Sequence, residues 1–440
     1  MKRIRLFSLL TALLLLLTSC GSAQPETKTA EFQEENAVTA ATEESESTAV
    51  TEEITTEGPP PVYDEKVETL LPPLFEKLPI ANASMTEDEL RQLCVDYVCL
   101  SVSFQWVPAK HFTYVTSSKD VEVNFYEGKL YGGIPYINLA SGNLYRIMEF
   151  YDPETGVMDL TRLGNNLMIG TACSGTTGWG WQRVINSADL DNTAHLTVGG
   201  GMLRVGPYTY DDNIKIFGHD GAPECKDIAK KNGQQTMYES YALLEKGDCV
   251  VNNGHVRMVK EVNVVRGENG FIDFKNSYVI QCEQGLYTTS AIHDRTTQSG
   301  TAYKIQGNDN LKSSFEELYF GGYLPHTFKE FHGLDPVEPG KASIGLTGSS
   351  ASRTDIEKCV LKANYAISDI FTAVYDPEGK EVLRYAKRMT THFTYQCKMS
   401  QAIPSNALQK YQDQGGYTVE LTCQIGNGEI ITLFKGELKG

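Results

Sequence analysis

Positive charge is scarce in this chain. Its 39 Lys and Arg stand against 56 Asp and Glu, a formal net charge of −17. A nucleic-acid binder needs a basic face to neutralise phosphates, so no nucleic-acid partner is expected. Long apolar runs are missing too. The run from Leu6 to Leu17 falls short of the roughly 20 residues that span a bilayer. His293, His326 and His332 lack ligand-like spacing, so no metal is expected, and nothing calls for another cofactor. No internal repeat is visible. Residues Gly21 to Pro61 are almost without aromatic side chains and carry Lys28 as their one base. Such a segment cannot bury enough apolar surface to offset its ordering entropy. Residues 21–61 therefore read as a disordered acidic tether, extended by self-repulsion and ending at Gly58-Pro59-Pro60-Pro61.

What remains is globular in composition. With 440 residues, 41% hydrophobic and 22% charged, the chain is long enough for two or three domains. The first 20 residues have a basic start (Lys2, Arg3, Arg5), the apolar run, and then Leu17-Thr18-Ser19-Cys20. This reads as a signal peptide. Its ending resembles the bacterial lipobox. The resemblance implies that Cys20 is acylated and becomes the new N-terminus, anchoring the protein by lipid to the outer face of the cell membrane.

Folded structure is expected from about residue 62. Thr86 and Glu89 are three apart, a capping-box spacing. Leu90, Leu93, Tyr97, Leu100 and Phe104 follow at helical intervals, predicting an amphipathic helix over about Glu87 to Phe104. Pro336 and Pro339 mark a second boundary near Asp335, dividing a domain at 62–334 from one at 335–440. Beyond it "CVLKANYAI", "FTAVYDPEGKEVLRY", "HFTYQCKM", "YTVELTCQI" and "EIITLFKGEL" read as strands, with a turn at Asp376-Pro377-Glu378-Gly379. Short strands with no helix between them predict a small β-sandwich.

The stretch with chemical promise is "GTACSGTTGWGWQRV", Gly170 to Val184. A cysteine nucleophile needs a lowered thiol pKa, a base within reach and a group that orients the base. Gly170 to Ser174 read as a loop entering a helix, whose N–H groups and dipole favour a thiolate at Cys173. Trp181 and Val184 are spaced to share its core face. Ser174 and Gly175 let a substrate backbone approach and leave N–H groups for an oxyanion. Downstream, Lys246-Gly247-Asp248 reads as a turn and Gly254-His255-Val256 opens a strand. His255 and Arg257 point one way, Val256 and Met258 the other. In "NSYVIQCEQG" Gln281 and Glu283 share a face, so antiparallel pairing of the two strands would bring Gln281, or Glu283, to the histidine ring. Cys225, also at a helix start, is the rival nucleophile but lacks a glycine-rich approach; Cys249 reads as core. Cys359, Cys397 and Cys423 are candidates for disulfides, with no connectivity implied.

Taken in order, these pieces resemble the NlpC-type cell-wall peptidases of the papain-like superfamily and the related CHAP amidases. Gly133-Ile134-Pro135-Tyr136 is similar to the Gly-x-Pro-Tyr ahead of the nucleophile, and Cys173-Ser174-Gly175 to the Asp-Cys-Ser-Gly motif. Leu244 to Asp248 resembles the Pro-Gly-Asp turn, Gly254-His255-Val256 the histidine strand, and Val279-Ile280-Gln281 the strand of the third polar residue. The resemblance covers about Tyr131 to Gly285. It departs from the family at Ala172, where the motif has Asp, and in two long insertions, one between Tyr136 and Cys173 and one at Ser187 to Gln235.

The resemblance implies an α+β fold, a helix packed on an antiparallel sheet, ahead of the C-terminal sandwich. It implies Cys173 as nucleophile, His255 as general base and Gln281 as the orienting residue, with Glu283 as its alternate. Tyr136, Ser174 and Glu283 would line the substrate cleft. The implied substrates are peptide or amide bonds of peptidoglycan. An inactive surface lipoprotein that uses the same fold to bind the cell wall or a partner is the alternative.

Overall fold

Thr86 and Glu89 do build a cap. The Thr86 hydroxyl accepts from the Glu89 N–H, and the Glu89 carboxylate accepts from the Thr86 N–H at 2.7 Å. Helix α1, Glu87–Ser103, follows. It is more deeply buried than one apolar stripe implies: Leu93, Cys94, Tyr97, Val98 and Val102 are all within the core, and so is Arg91. These elements come from a computed structural model. It describes residues 78–440 except 116–121, 126, 129–130, 135, 137–142, 149, 160–169, 187–191, 220, 286–302, 305–306, 334–336 and 390–392. The signal segment, Cys20, the tether, Pro135 and Pro336 lie outside the described residues.

Helix α2, Cys173–Trp181, is an unlikely helix by composition, since three of its nine residues are glycine. Burial holds it instead: every one of its residues is buried. Gly180 explains part of the odd sequence. A Cβ there would lie 2.6 Å from Val98 Cγ2 and 3.1 Å from the Cys94 carbonyl oxygen, so glycine lets α2 press against α1. The two tryptophans face different ways. Trp181 stacks edge-on to Phe328 (4.8 Å between ring centroids) and donates to the Gly247 carbonyl at 2.8 Å. Trp179 meets Phe393 of the C-terminal part, also at 4.8 Å.

Both helices pack on a six-stranded antiparallel sheet. Its strands are β1 (Leu203–Arg204), β2 (Cys249–Asn252), β3 (His255–Asn263), β4 (Tyr278–Gln284), β5 (Gly307–Ser314) and β6 (Leu324–Thr327), in the order β5-β4-β3-β2-β6-β1. The second insertion is part of this core. It supplies β1 and helix α3 (Cys225–Asn232), and it ends as α4 (Gln234–Tyr241) begins; the two helices bury Ile228, Ala229, Met237, Tyr238 and Tyr241. The Lys246–Asp248 turn is a clamp. Gly247 adopts φ +81°, and buried Asp248 accepts from Arg91 Nη1 at 2.8 Å, from Thr327 Oγ1 at 2.5 Å and from the Glu245 N–H at 2.9 Å. One turn thus ties α1 and, through Trp181, α2 to the sheet.

A smaller sheet centred on Gln105–Pro108 carries Trp106 and Tyr131, whose rings pack with Phe125. It leads into Gly133, at φ +81°, where a Cβ would sit 2.7 Å from the Val102 carbonyl oxygen at the end of α1. Only glycine tolerates both constraints.

The C-terminal part differs from the strands-only expectation. Its main sheet contains β7 (Ser350–Ala351), β8 (Ile367–Tyr375), β9 (Glu381–Arg388), β10 (Thr418–Ile425) and β11 (Ile430–Leu438), ordered β7-β11-β10-β8-β9. The Asp376–Gly379 turn joins β8 to β9 as expected. Helices α6 (Arg353–Lys358) and α7 (Ser405–Gln414) also stand among the strands, after α5 (Phe315–Phe320) of the first part. Each buries a single residue, Ile356 or Leu408, so neither shows a periodic stripe. This part has its own core, including Ile370, Val374, Leu421 and Phe434. It also grips the end of α2. Gln182 accepts from the Ala366 N–H at 3.0 Å and donates to the Tyr395 hydroxyl at 2.8 Å. All nine described cysteines, Cys359, Cys397 and Cys423 among them, are free thiols.

Candidate active site

Cys173 is the first residue of α2, with Ala172 at the N-cap in extended conformation. The helical ladder begins where the Thr176 N–H donates to the Ala172 carbonyl at 2.9 Å. The N–H groups of Cys173 to Gly175 therefore project from the helix start beside the thiol. The thiol itself is nearly enclosed, with Cys173 4% exposed.

His255 opens β3, as expected, with Val256 and Met258 turned into the core and His255 and Arg257 on the other face. Burial alone would push the Cys173 thiol up. The charge and hydrogen bond of His255 outweigh that, with the N–H groups of Val256 and Ser174 assisting, and hold the thiol below its ordinary value. For His255, burial works against the cation, but the thiolate of Cys173 and the Glu283 carboxylate prevail and raise the imidazole to about 9. The two titrate as a pair. A thiolate–imidazolium pair is thus present above the lowered thiol value and disappears as pH climbs through about 9.

Glu283, not Gln281, orients the histidine. Glu283 Oε2 lies 2.6 Å from His255 Nε2, which leaves Nδ1 as the ring nitrogen for the thiol. Arg257 Nε donates to the same oxygen at 2.7 Å. Gln281 is fully buried opposite Val259, and its amide donates at 3.3 Å to the Val279 carbonyl of its own strand. The cause of this correction is a bulge. Ile280 pairs with Glu261 but Gln281 pairs with Val259, so Lys260 is skipped. Beyond that point Cys282 sits opposite Met258 in the core and Glu283 turns to the face of His255 and Arg257. A second irregularity follows directly on the β5 side, between Gln281 and Glu283, and Lys260 Nζ reaches the Asp309 carbonyl there at 2.5 Å.

Tyr136 comes near by its backbone, in a parallel bridge to Thr171, two residues before Cys173. Gln284 Nε2 donates to the Ile134 carbonyl at 2.6 Å and fastens this segment to β4. Ser174 is buried at the start of α2. Sequence reasoning missed Arg257 and Tyr323. The Arg257 guanidinium carbon lies 4.5 Å from the Tyr323 ring centroid. The signal was available, because Arg257 shares the histidine's face two residues on.

Cys225 loses its rivalry. It starts α3, but burial and Glu224 push its thiol up, and its N–H is committed to Asn253 Oδ1 at 2.8 Å. Cys249 is core, and burial raises its thiol as well. His326 is buried and held neutral, its pKa lowered to about 3 by burial, with Nε2 between the Tyr208 and Tyr210 hydroxyls. Among the described residues no group of three or more His, Cys, Asp or Glu is placed to hold a metal, and no helix is long and apolar enough to cross a membrane.

A buried thiolate, an imidazolium and a carboxylate in series, beside a helix start rich in N–H donors, can perform nucleophilic acyl transfer. No family model, curated protein or solved structure matches this chain, which leaves its own geometry to say what the site can do.

Proposed function

We propose that the protein is a cysteine hydrolase of peptide or amide bonds, anchored by lipid at Cys20 to the outer face of a bacterial cell membrane and acting on peptidoglycan. The observation that carries the reading is the Cys173–His255–Glu283 series at the start of α2. The Cys173 thiolate attacks the scissile carbonyl carbon, and the N–H groups at the helix start receive the oxyanion. The imidazolium of His255 passes its proton to the leaving amine as the C–N bond breaks, forming a thioester. Water then attacks the thioester, giving its proton to His255. The acid leaves as the C–S bond breaks, and the thiolate–imidazolium pair is restored. The helices on an antiparallel sheet agree with an NlpC-type, papain-like catalytic domain, and we take the C-terminal sheets as a β-sandwich elaborated by helices. The choice of peptidoglycan rests on the sequence resemblance and on the lipobox.

The test is turnover of isolated wall peptides by the protein. Cys173→Ala abolishes it, His255→Ala nearly so, and Cys225→Ala leaves it intact. Turnover that survives Cys173→Ala would sink the reading. Anchoring has its own check: Cys20→Ala loses metabolic lipid labelling, and labelling that persists refutes the lipobox.

A binding lipoprotein is the second reading, favoured by the 4% exposure of Cys173. Selective alkylation of Cys173 at neutral pH separates the two, since an enclosed, inert thiol resists it.

A further inference from the structure

Glu283 is held from two sides through one oxygen. His255 and Arg257 both donate to Oε2. Arg257 is also fixed from behind. Its guanidinium lies over the Tyr323 ring, and Nη1 comes within 3.4 Å of the Ser313 hydroxyl on β5. Tyr323 in turn feels the charges of Arg257, Glu283 and Cys173, so these groups share one neighbourhood. We propose that Arg257 is a positioning residue of this site, which sets the Glu283 carboxylate against His255 and offsets its negative charge so that Cys173 rests as a thiolate.

The inference rests on the Cys173–His255 reading and adds to it. Three charges in a row, thiolate, imidazolium and carboxylate, carry one excess negative charge. With Cys173 and Glu283 both buried, that excess opposes the thiolate. A guanidinium on the far side of Glu283 makes the signs alternate along the row and brings its sum to zero. It also keeps Glu283 ionised, so that the carboxylate accepts the His255 N–H without taking its proton. The groups that face the pair come from several elements: Cys173 from α2, Arg257 from β3, Glu283 from β4, Ser313 from β5 and Tyr323 from the turn ahead of β6. Arg suits the place better than Lys, because a planar guanidinium stacks on an aromatic ring while it donates sideways.

The experiment follows the rate of Cys173 alkylation by iodoacetamide against pH, located by peptide mass spectrometry, in the full-length protein. Arg257→Met keeps the stem on Tyr323 and removes the charge; Arg257→Lys keeps the charge. Arg257→Met moves the thiolate midpoint up by roughly one to two pH units, and Arg257→Lys keeps most of the low midpoint. Adding Glu283→Gln to Arg257→Met removes the excess charge and brings the midpoint partly back. Arg257→Gln reads the same difference if the Met variant does not fold. A Met or Gln variant that titrates like the wild type overturns the inference while the pair stands. A Lys variant shifted as far as the Met variant also overturns it, since lost packing rather than lost charge would then be the cause. A wild-type thiol with an ordinary midpoint removes the pair itself, and the inference with it.

Discussion

Glu283→Gln isolates the contribution of one charge. The amide oxygen keeps an acceptor at the position of Oε2, 2.6 Å from His255 Nε2 and 2.7 Å from Arg257 Nε, so the ring stays in place and only the charge is lost. A hydrogen bond to a charged partner contributes about 1.5–3 kcal/mol and a neutral one about 0.5–1.5, so losing the charge alone costs about 1–1.5 kcal/mol. At 1.36 kcal/mol per pKa unit this is roughly one unit. The imidazolium of His255 is raised to about 9 by the thiolate and by Glu283. Removing the Glu283 share lowers it, because the protonated form loses its stabiliser. The alkaline limb of a bell-shaped pH profile for kcat/KM should therefore move from about 9 down by roughly one unit. The assay is hydrolysis of a fluorogenic peptide amide across the pH range, with Gln281→Leu as control. Gln281 is packed away from the ring, so its variant keeps the wild-type limb even where it lowers stability. An alkaline limb unmoved by Glu283→Gln, or moved equally by Gln281→Leu, would refute the assignment of the orienting residue.

Two further outcomes concern the frame. Gly180→Ala places a Cβ 2.6 Å from Val98 Cγ2 and forces α1 and α2 apart, at a cost of about 1–3 kcal/mol by urea denaturation; an unchanged midpoint would contradict the close helix contact. Ending the chain at Asp335 removes Phe393 from Trp179 and takes Ala366 and Tyr395 from Gln182, which lowers stability by on the order of 2–4 kcal/mol, and a truncated protein with the full-length melting temperature would show that the two parts are independent.

The legible features were local ones. A Thr-x-x-Glu box announces a helix because two side chains satisfy two backbone donors within one turn, and α1 begins where it says. Cys173 at a helix start and His255 at a strand start could be placed by motif and alternation alone. Gln281 was misplaced because alternation has no means of detecting a bulge: the extra residue lies on the partner strand, at Lys260, and leaves no mark in "YVIQCEQ". α7 went unseen because a helix that buries only Leu408 has no stripe to display, although at α6 the Ser352–Asp355 spacing was a signal that a search for caps would have found. The grip of Gln182 on Ala366 joins residues 184 positions apart, a tertiary choice with no local signature.

The skipped residue Lys260 gives the site a parity. On the turn side of the bulge, odd positions of β3 face even positions of β4; on the His255 side, odd faces odd. Length changes in the connection between Asn263 and Tyr278 lie outside this count and leave the faces unaltered. One residue gained or lost between His255 and Lys260, or between Gln281 and Glu283, would reverse it and send Glu283 into the core. The chain therefore tolerates drift in the loop far more readily than within these two short spans.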